Sequence, residues 1–448
     1  MKPESPIGTR LPAIARSPNA AVSDFWKSPW GRYSASKVGA LSDLSGRNLR
    51  GTPMADGRKR CSWVHEGLTI LPTGDVCACY HKLPGMVGNI YENTLEEIFN
   101  GERIREFRQQ EIDGTLPCLK GCNIPQGEVL DDSVRHDYRT DMRRLQIEFG
   151  ERCNIRCIMC PQDHKSTLEL DPEILVRNVD IPPSCTNVHF FGGEPTILKS
   201  ARKLFDHCIE QGTKITLITN GLAISEDMAA KIALHAKSIS FSLNAASKEV
   251  HEIVNEGSKF EKVLKNIRRV IDAKKRLNGK AIVIGHMTIV AQNLHEIPQF
   301  IRKRGEFGFQ VVHFGYDVRV KKTLARDPGQ KARLMAEIQA AMDDLPPDER
   351  ARFQLDRLES LGLVEPCTAS REPVQRVYIE RFRSDPNFRK QVLAQIAQNP
   401  QAFLTRLDAM KLSLESAERM DEQMARSLGD LRRQVEEMLP PIVESQFA

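Results

Sequence analysis

The stretch from Leu145 to Pro161 constrains this chain more than any other. The strand-like alternation of Leu145, Ile147 and Phe149 stops at Gly150, and Cys153, Cys157 and Cys160 then follow on one short loop. Three thiolates this close can ligate three irons of a cubane cluster, which leaves the fourth iron without a nearby protein ligand. A structural zinc site closes with four ligands, commonly as two Cys-x2-Cys-like pairs, and no partner pair follows this loop.

The spacing Cys153-x3-Cys157-x2-Cys160 resembles the signature of the radical S-adenosylmethionine (radical SAM) superfamily. The resemblance implies a 4Fe–4S cluster whose open iron is chelated by the amino and carboxylate groups of SAM. It also implies that an electron from the reduced cluster cleaves the sulfonium, releasing methionine and a 5′-deoxyadenosyl radical that abstracts hydrogen from substrate. In such chemistry the cofactor does the difficult step and the protein positions it. Many members place an aromatic residue before the last cysteine; this chain has Met159, an apolar replacement.

At 448 residues the chain is long enough for about three domains. Its net charge of +5 is small against 64 basic and 59 acidic residues, which argues neither for a nucleic-acid binder nor for a strongly acidic partner and leaves the substrate's charge open. No apolar signal segment and no membrane-length run is visible, so the chain is expected to be cytoplasmic and free of membrane contact. In a reducing compartment clustered cysteines are metal ligands more often than disulfides. Of 11 cysteines, Cys185, Cys208 and Cys367 stand alone and read as buried small hydrophobes.

Residues 1–58 mix Pro, Ser, Gly, Arg and Ala without a period and read as a flexible arm, with Phe25, Trp26, Trp30 and Tyr33 able to latch onto the folded body or a partner. From Cys61 the character changes. Apolar residues flank a Pro72-Thr73-Gly74 turn and return to Cys77 and Cys79, so a hairpin is expected to bring Cys61 and Cys77 together. Asn93 or Thr94 can cap a helix with Leu95, Ile98 and Phe99 on one face, and Cys118-x3-Cys122 adds another close pair. Residues 59–142 resemble the SPASM/twitch module that many radical SAM enzymes carry for an auxiliary 4Fe–4S cluster, on the Gly74-x2-Cys77 turn, the Gly88-Asn89-Ile90 and Leu95-Glu96-Glu97-Ile98 runs and the final cysteine pair. The resemblance implies Cys61, Cys77, Cys118 and Cys122 as ligands, although most members place the module after the barrel. Cys79 is left over: it can replace Cys77, act as an acid/base or radical-quenching catalytic thiol, or be simply buried. Zinc competes for the same four thiolates.

Residues 143–325 are the best patterned. Short apolar runs at 145–149, 187–191, 214–219, 238–243, 281–290 and 309–315 alternate with helical stretches, which predicts a parallel sheet. The fold class expected is α/β: by resemblance a partial (β/α)6 TIM-like barrel, with the small Cys-rich domain before it and an α-helical extension over 326–448. Active residues of such folds sit at the C-terminal ends of strands. There stands Gly192-Gly193-Glu194-Pro195, where glycines permit close backbone approach and a carboxylate can accept from an ammonium. It resembles the family motif that binds the amino group of SAM, which implies Gly192, Gly193 and Glu194 as cofactor-binding. At the next strand ends Asn220 and Ser242, ranked above Asn244 and Thr219, match positions around SAM. His286, Gln292 and Asn293 can face the cavity, but a strand histidine is more often structural, and the same holds for His189 and His313.

In the tail, Met410, Leu414, Ala417, Met424, Leu428, Leu431, Val435 and Met438 form a short heptad seam, suited to an intramolecular hairpin or to a homo-oligomer contact. The resemblance implies a peptide, protein or small-molecule substrate and an external electron donor such as flavodoxin or ferredoxin. An auxiliary cluster suits oxidative reactions, dehydrogenation or peptide and protein maturation, in which a substrate radical must lose an electron. The alternative is a non-catalytic iron–sulfur or zinc-binding scaffold.

Overall fold

The computed structural model describes residues 60–122, 133–163, 165–365 and 432–433. The N-terminal arm, Cys367 and the tail's heptad positions lie outside the described residues. Residues Met1–Val364 form one compact unit and Glu365–Ala448 another, so the boundary expected at 325/326 falls inside the first.

Twelve strands are present among the described residues: β1 Gly67–Ile70, β2 Asp75–Cys77, β3 Met86–Asn89, β4 Arg144–Glu148, β5 Arg156–Cys157, β6 Asn187–Phe191, β7 Ile215–Thr219, β8 Ser238–Ser242, β9 Asn255–Glu256, β10 Ile282–Ile289, β11 Val311–Tyr316 and β12 Phe353–Gln354. Ten of them form one sheet in the order β12-β11-β10-β8-β7-β6-β4-β1-β2-β3. The six runs expected from the sequence are β4, β6, β7, β8, β10 and β11, parallel throughout. The sheet extends past them at both flanks: β1 of the Cys-rich segment pairs parallel with β4, and β12 pairs parallel with β11. The Cys-rich segment is thus stitched into the barrel sheet, and the region after residue 325 supplies a strand as well as helices.

Strand periodicity divides the two faces. Leu145, Ile147, Val188, Phe190, Leu217, Ile239, Phe241 and Val283 are fully or almost fully buried, whereas the alternate positions carry Gln146, Glu148, His189, Thr216, Ser240, Ser242, His286 and His313. Helices cover the apolar face. The longest, Phe260–Arg276, buries Phe260, Val263, Leu264, Ile267, Val270 and Ala273 at helical spacing and ends in Lys274, Lys275 and Arg276, which complement the carbonyl end of its dipole. Each large apolar side chain buried this way contributes about 1.5–3 kcal/mol of transfer free energy. In the N-terminal segment Thr94 is the cap of helix Leu95–Phe99, closing a capping box with Glu97.

Candidate active site and cluster sites

The loop after β4 leaves and re-enters the sheet through a pinned base: Glu151 N–H donates to the Leu168 carbonyl at 3.0 Å, and Leu170 N–H to that of Phe149 at 2.8 Å. Within the loop, β5 pairs antiparallel with β9, which fixes Cys157 opposite Asn255. Cys160 N–H turns back onto the Cys157 carbonyl at 2.8 Å. Met159 is buried against Val254 and Val290.

The glycine loop after β6 docks on this segment. Gly192 and Gly193 have φ of +86° and +53°, and a Cβ at Gly193 would stand 2.3 Å from the Arg152 carbonyl oxygen, so only glycine fits. Glu194 N–H donates to that same oxygen at 3.0 Å. The Glu194 carboxylate is 1 % exposed. It accepts from Thr196 Oγ1 and Thr219 Oγ1, both at 2.6 Å, from Thr196 N–H at 3.1 Å, and from Asn220 N–H at 2.7 Å. Burial pushes its carboxyl above the usual carboxylate range, with these donors acting in the opposite sense. Asn220 turns its side-chain amide to Asn154 Oδ1 at 2.7 Å and to Cys153 Sγ at 3.6 Å.

One cavity is lined by Cys153, Cys157, Cys160, Gly192, Gly193, Glu194, Thr219, Asn220, Ser242 and Asn244. All the expected SAM-site positions therefore converge. Asn244 differs from the rest in having both ends of its amide engaged, Nδ2 with Asn255 Oδ1 at 3.0 Å and Oδ1 with Thr288 N–H at 2.8 Å. Asn293, a further cavity candidate, is fully buried and braces this loop from Val290 to Asn244. The donor set fits a cluster with SAM: three thiols at the mouth of a cavity, a glycine backbone with no side chain in the way, and a carboxylate deeper in. Burial raises the Cys153 thiol to about 11, so its thiolate form calls for a strongly cationic partner such as iron.

The N-terminal cysteines form a second group. Cys61 precedes the short helix Trp63–Glu66, and Cys118 lies on the 3-10 turn Pro117–Gly121 that Cys122 caps. Burial pushes the Cys61 thiol up to about 12, and its thiol neighbours Cys122 and Cys118 act in the same direction. Cys79 is likewise pushed well up by burial, then by its neighbour Cys61, with Cys77 and Cys122 contributing less. Its sulfur accepts from His81 N–H at 3.4 Å. Cys77, expected as a ligand, is engaged in the sheet. As the last residue of β2 it is paired with Thr69, its Sγ donates to the Thr69 carbonyl at 3.6 Å, and its charged neighbours are Lys82 and Glu148. The hairpin thus pairs Cys77 with Thr69, and the turn after β2 brings Cys79 beside Cys61. Among the described residues no three His, Cys, Asp or Glu side chains converge at the spacing of a single-ion site.

Cys61 is held from behind by Glu111, which is 1 % exposed. Its carboxylate accepts from Cys61 N–H at 2.8 Å and Arg60 Nε at 2.7 Å, and pairs with His65 Nε2 at 3.0 Å.

The sequence reading missed the far side of the cavity. Thr69, Tyr80 and Lys82 reach it from the Cys-rich segment, Glu148 from the end of β4, and Gln354, Asp356 and Arg357 from β12 and the short helix Asp356–Ser360 beyond it. His286, which the sequence offered as able to face the cavity, and His313, its register partner on β11, also line it. Lys82 and Glu148 form an ion pair at 3.1 Å between the two segments. Glu148 was legible as a lone carboxylate closing an apolar run; a two-residue strand leading to Asp356 and Arg357 left no pattern.

Residues 147–303 match the radical SAM superfamily, and residues 61–123 match the SPASM iron–sulfur cluster-binding domain. A GTP 3′,8-cyclase of Peptoclostridium acidaminophilum is 32 % identical over 143 residues, 29 % of this chain and 43 % of the relative. Another, from Desulforamulus reducens, is 24 % identical over 184 residues, 39 % of this chain and 55 % of the relative. The chain spans about half the length of the curated relatives it matches. Among solved structures, Streptococcus suis SuiB bound to precursor peptide SuiA gives a TM-score of 0.36 at 15 % identity, covering 69 % of this chain and 73 % of that one. Native anSMEcpe with bound AdoMet gives 0.28 at 20 %, covering 39 % and 51 %. The two matched domains imply a SAM-binding 4Fe–4S cluster, auxiliary iron–sulfur and SAM as cofactors. With the parallel sheet and the converging cysteine and glycine loops, they mark residues 147–303 as a radical SAM domain and residues 61–123 as a SPASM domain that precedes it.

Proposed function

We propose that the protein is a radical SAM enzyme that cleaves SAM reductively, abstracts hydrogen from its substrate and completes an oxidative modification, a dehydrogenation or a peptide or protein maturation. The observation that carries this reading is the single cavity shared by Cys153, Cys157, Cys160, Glu194 and Asn220 with charged groups from both flanks of the sheet. When bound, SAM and its cluster supply the 5′-deoxyadenosyl radical.

The chain's residues position and shield. Cys153, Cys157 and Cys160 hold the SAM cluster. Glu194 takes the amino group of SAM, and the bare Gly192-Gly193 backbone lets that group come close. Asn220 and Ser242 orient the remaining polar groups, while Asn244 acts indirectly by fixing the loop after β8. Cys61, Cys79, Cys118 and Cys122 hold the auxiliary cluster, with Cys79 in place of Cys77. An auxiliary cluster beside the cavity suits a reaction whose substrate radical must lose an electron, which favours oxidation over simple methyl transfer. An external flavodoxin or ferredoxin supplies the reducing electron.

Anaerobic reconstitution with iron and sulfide, then dithionite and SAM, tests this. About eight irons per chain and 5′-deoxyadenosine formation abolished by Cys157→Ala are expected. No cleavage by protein holding the Cys153 cluster would leave the scaffold reading.

A further inference from the structure

The fully buried Arg108 shows how a structural guanidinium is satisfied. Arg108, 0 % exposed, donates to the carbonyls of Val64 at 2.7 Å, Phe99 at 2.8 Å and Val134 at 3.2 Å, and to Asn100 Oδ1 at 3.1 Å. Buried polar groups follow that rule in general. Arg357 is placed differently, half-buried at the cavity wall. Its side chain is 21 % exposed and lines the cavity, and among the described residues its one ionic contact is with Asp356 at 3.7 Å, beyond hydrogen-bond range. Among the described residues no acceptor engages any of its five N–H donors.

A second unsatisfied group stands on the same wall. His313 lines the cavity from β11, is 5 % exposed, and its Nε2 has no hydrogen-bond partner among the described residues. Its strand neighbour is Gln354, three residues before Arg357. Burial pushes His313 down to about 3, so the ring is neutral and Nε2 can carry a proton to donate.

Charge then narrows the ligand. The cavity's cations outside the SAM motifs are Lys82 and Arg357, and Glu148 and Asp356 offset both. A triphosphate would bring several negative charges to a lining with no net positive charge, whereas a single carboxylate matches one guanidinium fork.

We propose that Arg357, assisted by His313, anchors a carboxylate of the substrate, so that the molecule modified is an acidic peptide or amino-acid derivative rather than a nucleotide. This rests on the reading that the cavity is where SAM and substrate meet. Arg357 comes from beyond the residues matched by the superfamily, on the short helix Asp356–Ser360 that β12 leads into. The substrate specificity of the barrel is then set by a segment grafted onto its edge.

The test uses the full chain, reconstituted anaerobically and supplied with SAM, and ligand-observed NMR of four probes: acetyl-Ala-Glu-Ala-amide, its Gln counterpart, N-acetylglutamate and GTP. The Glu peptide is expected to bind at least about tenfold more tightly than the Gln peptide, a difference that Arg357→Gln abolishes and Arg357→Lys partly retains. N-acetylglutamate binding as tightly as the peptide identifies a small acid as the source of the carboxylate; a clear peptide advantage identifies a peptide. Equal binding of Glu and Gln peptides would overturn the proposal, as would GTP binding that is tighter and depends on Arg357. A fall in SAM affinity in Arg357→Gln as large as the fall for the Glu peptide would assign the residue to SAM and overturn it as well. The Glu-to-Gln comparison is read without turnover, so failure of SAM cleavage in wild type would sink the enzymatic reading separately.

Discussion

The side-chain amide of Asn220 lies 3.6 Å from the sulfur of Cys153, at the point where the strand end after β7 meets the cysteine loop. The same residue donates its backbone N–H to Glu194, so one asparagine ties a cluster thiol to the carboxylate proposed for the amino group of SAM. An N–H aimed at a ligating sulfur stabilises its thiolate and orients it, and losing such a partner typically costs about 10–100-fold in affinity or activity. Asn220→Ala is expected to retain its iron while SAM affinity falls by about that factor, read from the change in the reduced cluster's EPR spectrum on SAM addition. Wild-type affinity in the variant would mean the contact is incidental.

The proximity of Cys79 to Cys61 and the pairing of Cys77 with Thr69 give different surroundings to two cysteines that are adjacent but for Ala78. Cys79→Ala is expected to lose the auxiliary cluster, lowering iron from about eight to about four per chain, while Cys77→Ala keeps about eight. Iron and sulfide counts on the two variants decide it, and the reverse pattern would restore Cys77 as the ligand.

Glu111 supports the same site without touching a cluster. Three donors converge on its buried carboxylate, and Cys61 N–H is one of them. Burial disfavours its charge, but His65, Arg60 and Cys61 N–H together hold the carboxyl below the usual range. Truncation would leave the Cys61 amide without its acceptor and remove the ionic partner at 2.7 Å from Arg60, a defect that typically costs about 3–5 kcal/mol when a buried ionic partner is removed. Glu111→Ala should lose auxiliary iron selectively, and Glu111→Gln, which keeps acceptor capacity, should retain more of it. Equal iron content in Glu111→Ala and wild type would show the hub to be dispensable.

The cysteine trio, the glycine loop and the six parallel strands were legible because each is local: a spacing, a run of glycines, a period of two. What escaped the sequence is the material joined to the sheet's flanks. β1 has only four residues, all buried, and alternates no more clearly than a loop would; its parallel pairing with β4 spans the whole Cys-rich segment. β12 has two residues and owes its existence to the edge of β11. Because Lys82, Asp356 and Arg357 are delivered by these flanks, the SAM half of the cavity could be read from motifs and the substrate half could not. Cys77 illustrates the same limit, since its pairing with Thr69 is set by strand register, which no spacing of cysteines records.

The inner face of the sheet also sets a pH limit. Burial, reinforced by the positive charges of Lys237 and Arg144, pushes His189 down to about 3, and burial with His286 as neighbour brings His313 to about 3. Both folded values lie below the ordinary histidine value of about 6.5, so on acidification the unfolded chain takes up these protons first. Their neutral forms therefore cost nothing above about pH 6.5, and stability falls as pH drops from there toward about 3, by roughly 1.4 kcal/mol per pH unit for each histidine. Urea midpoints of reconstituted wild type at pH 7, 6 and 5 should decline, and a His189→Gln, His313→Gln double variant should decline less steeply. Cluster loss contributes to both proteins alike, so the difference in slope isolates the two rings. Parallel slopes would mean that these imidazoles gain protons without unfolding the sheet around them.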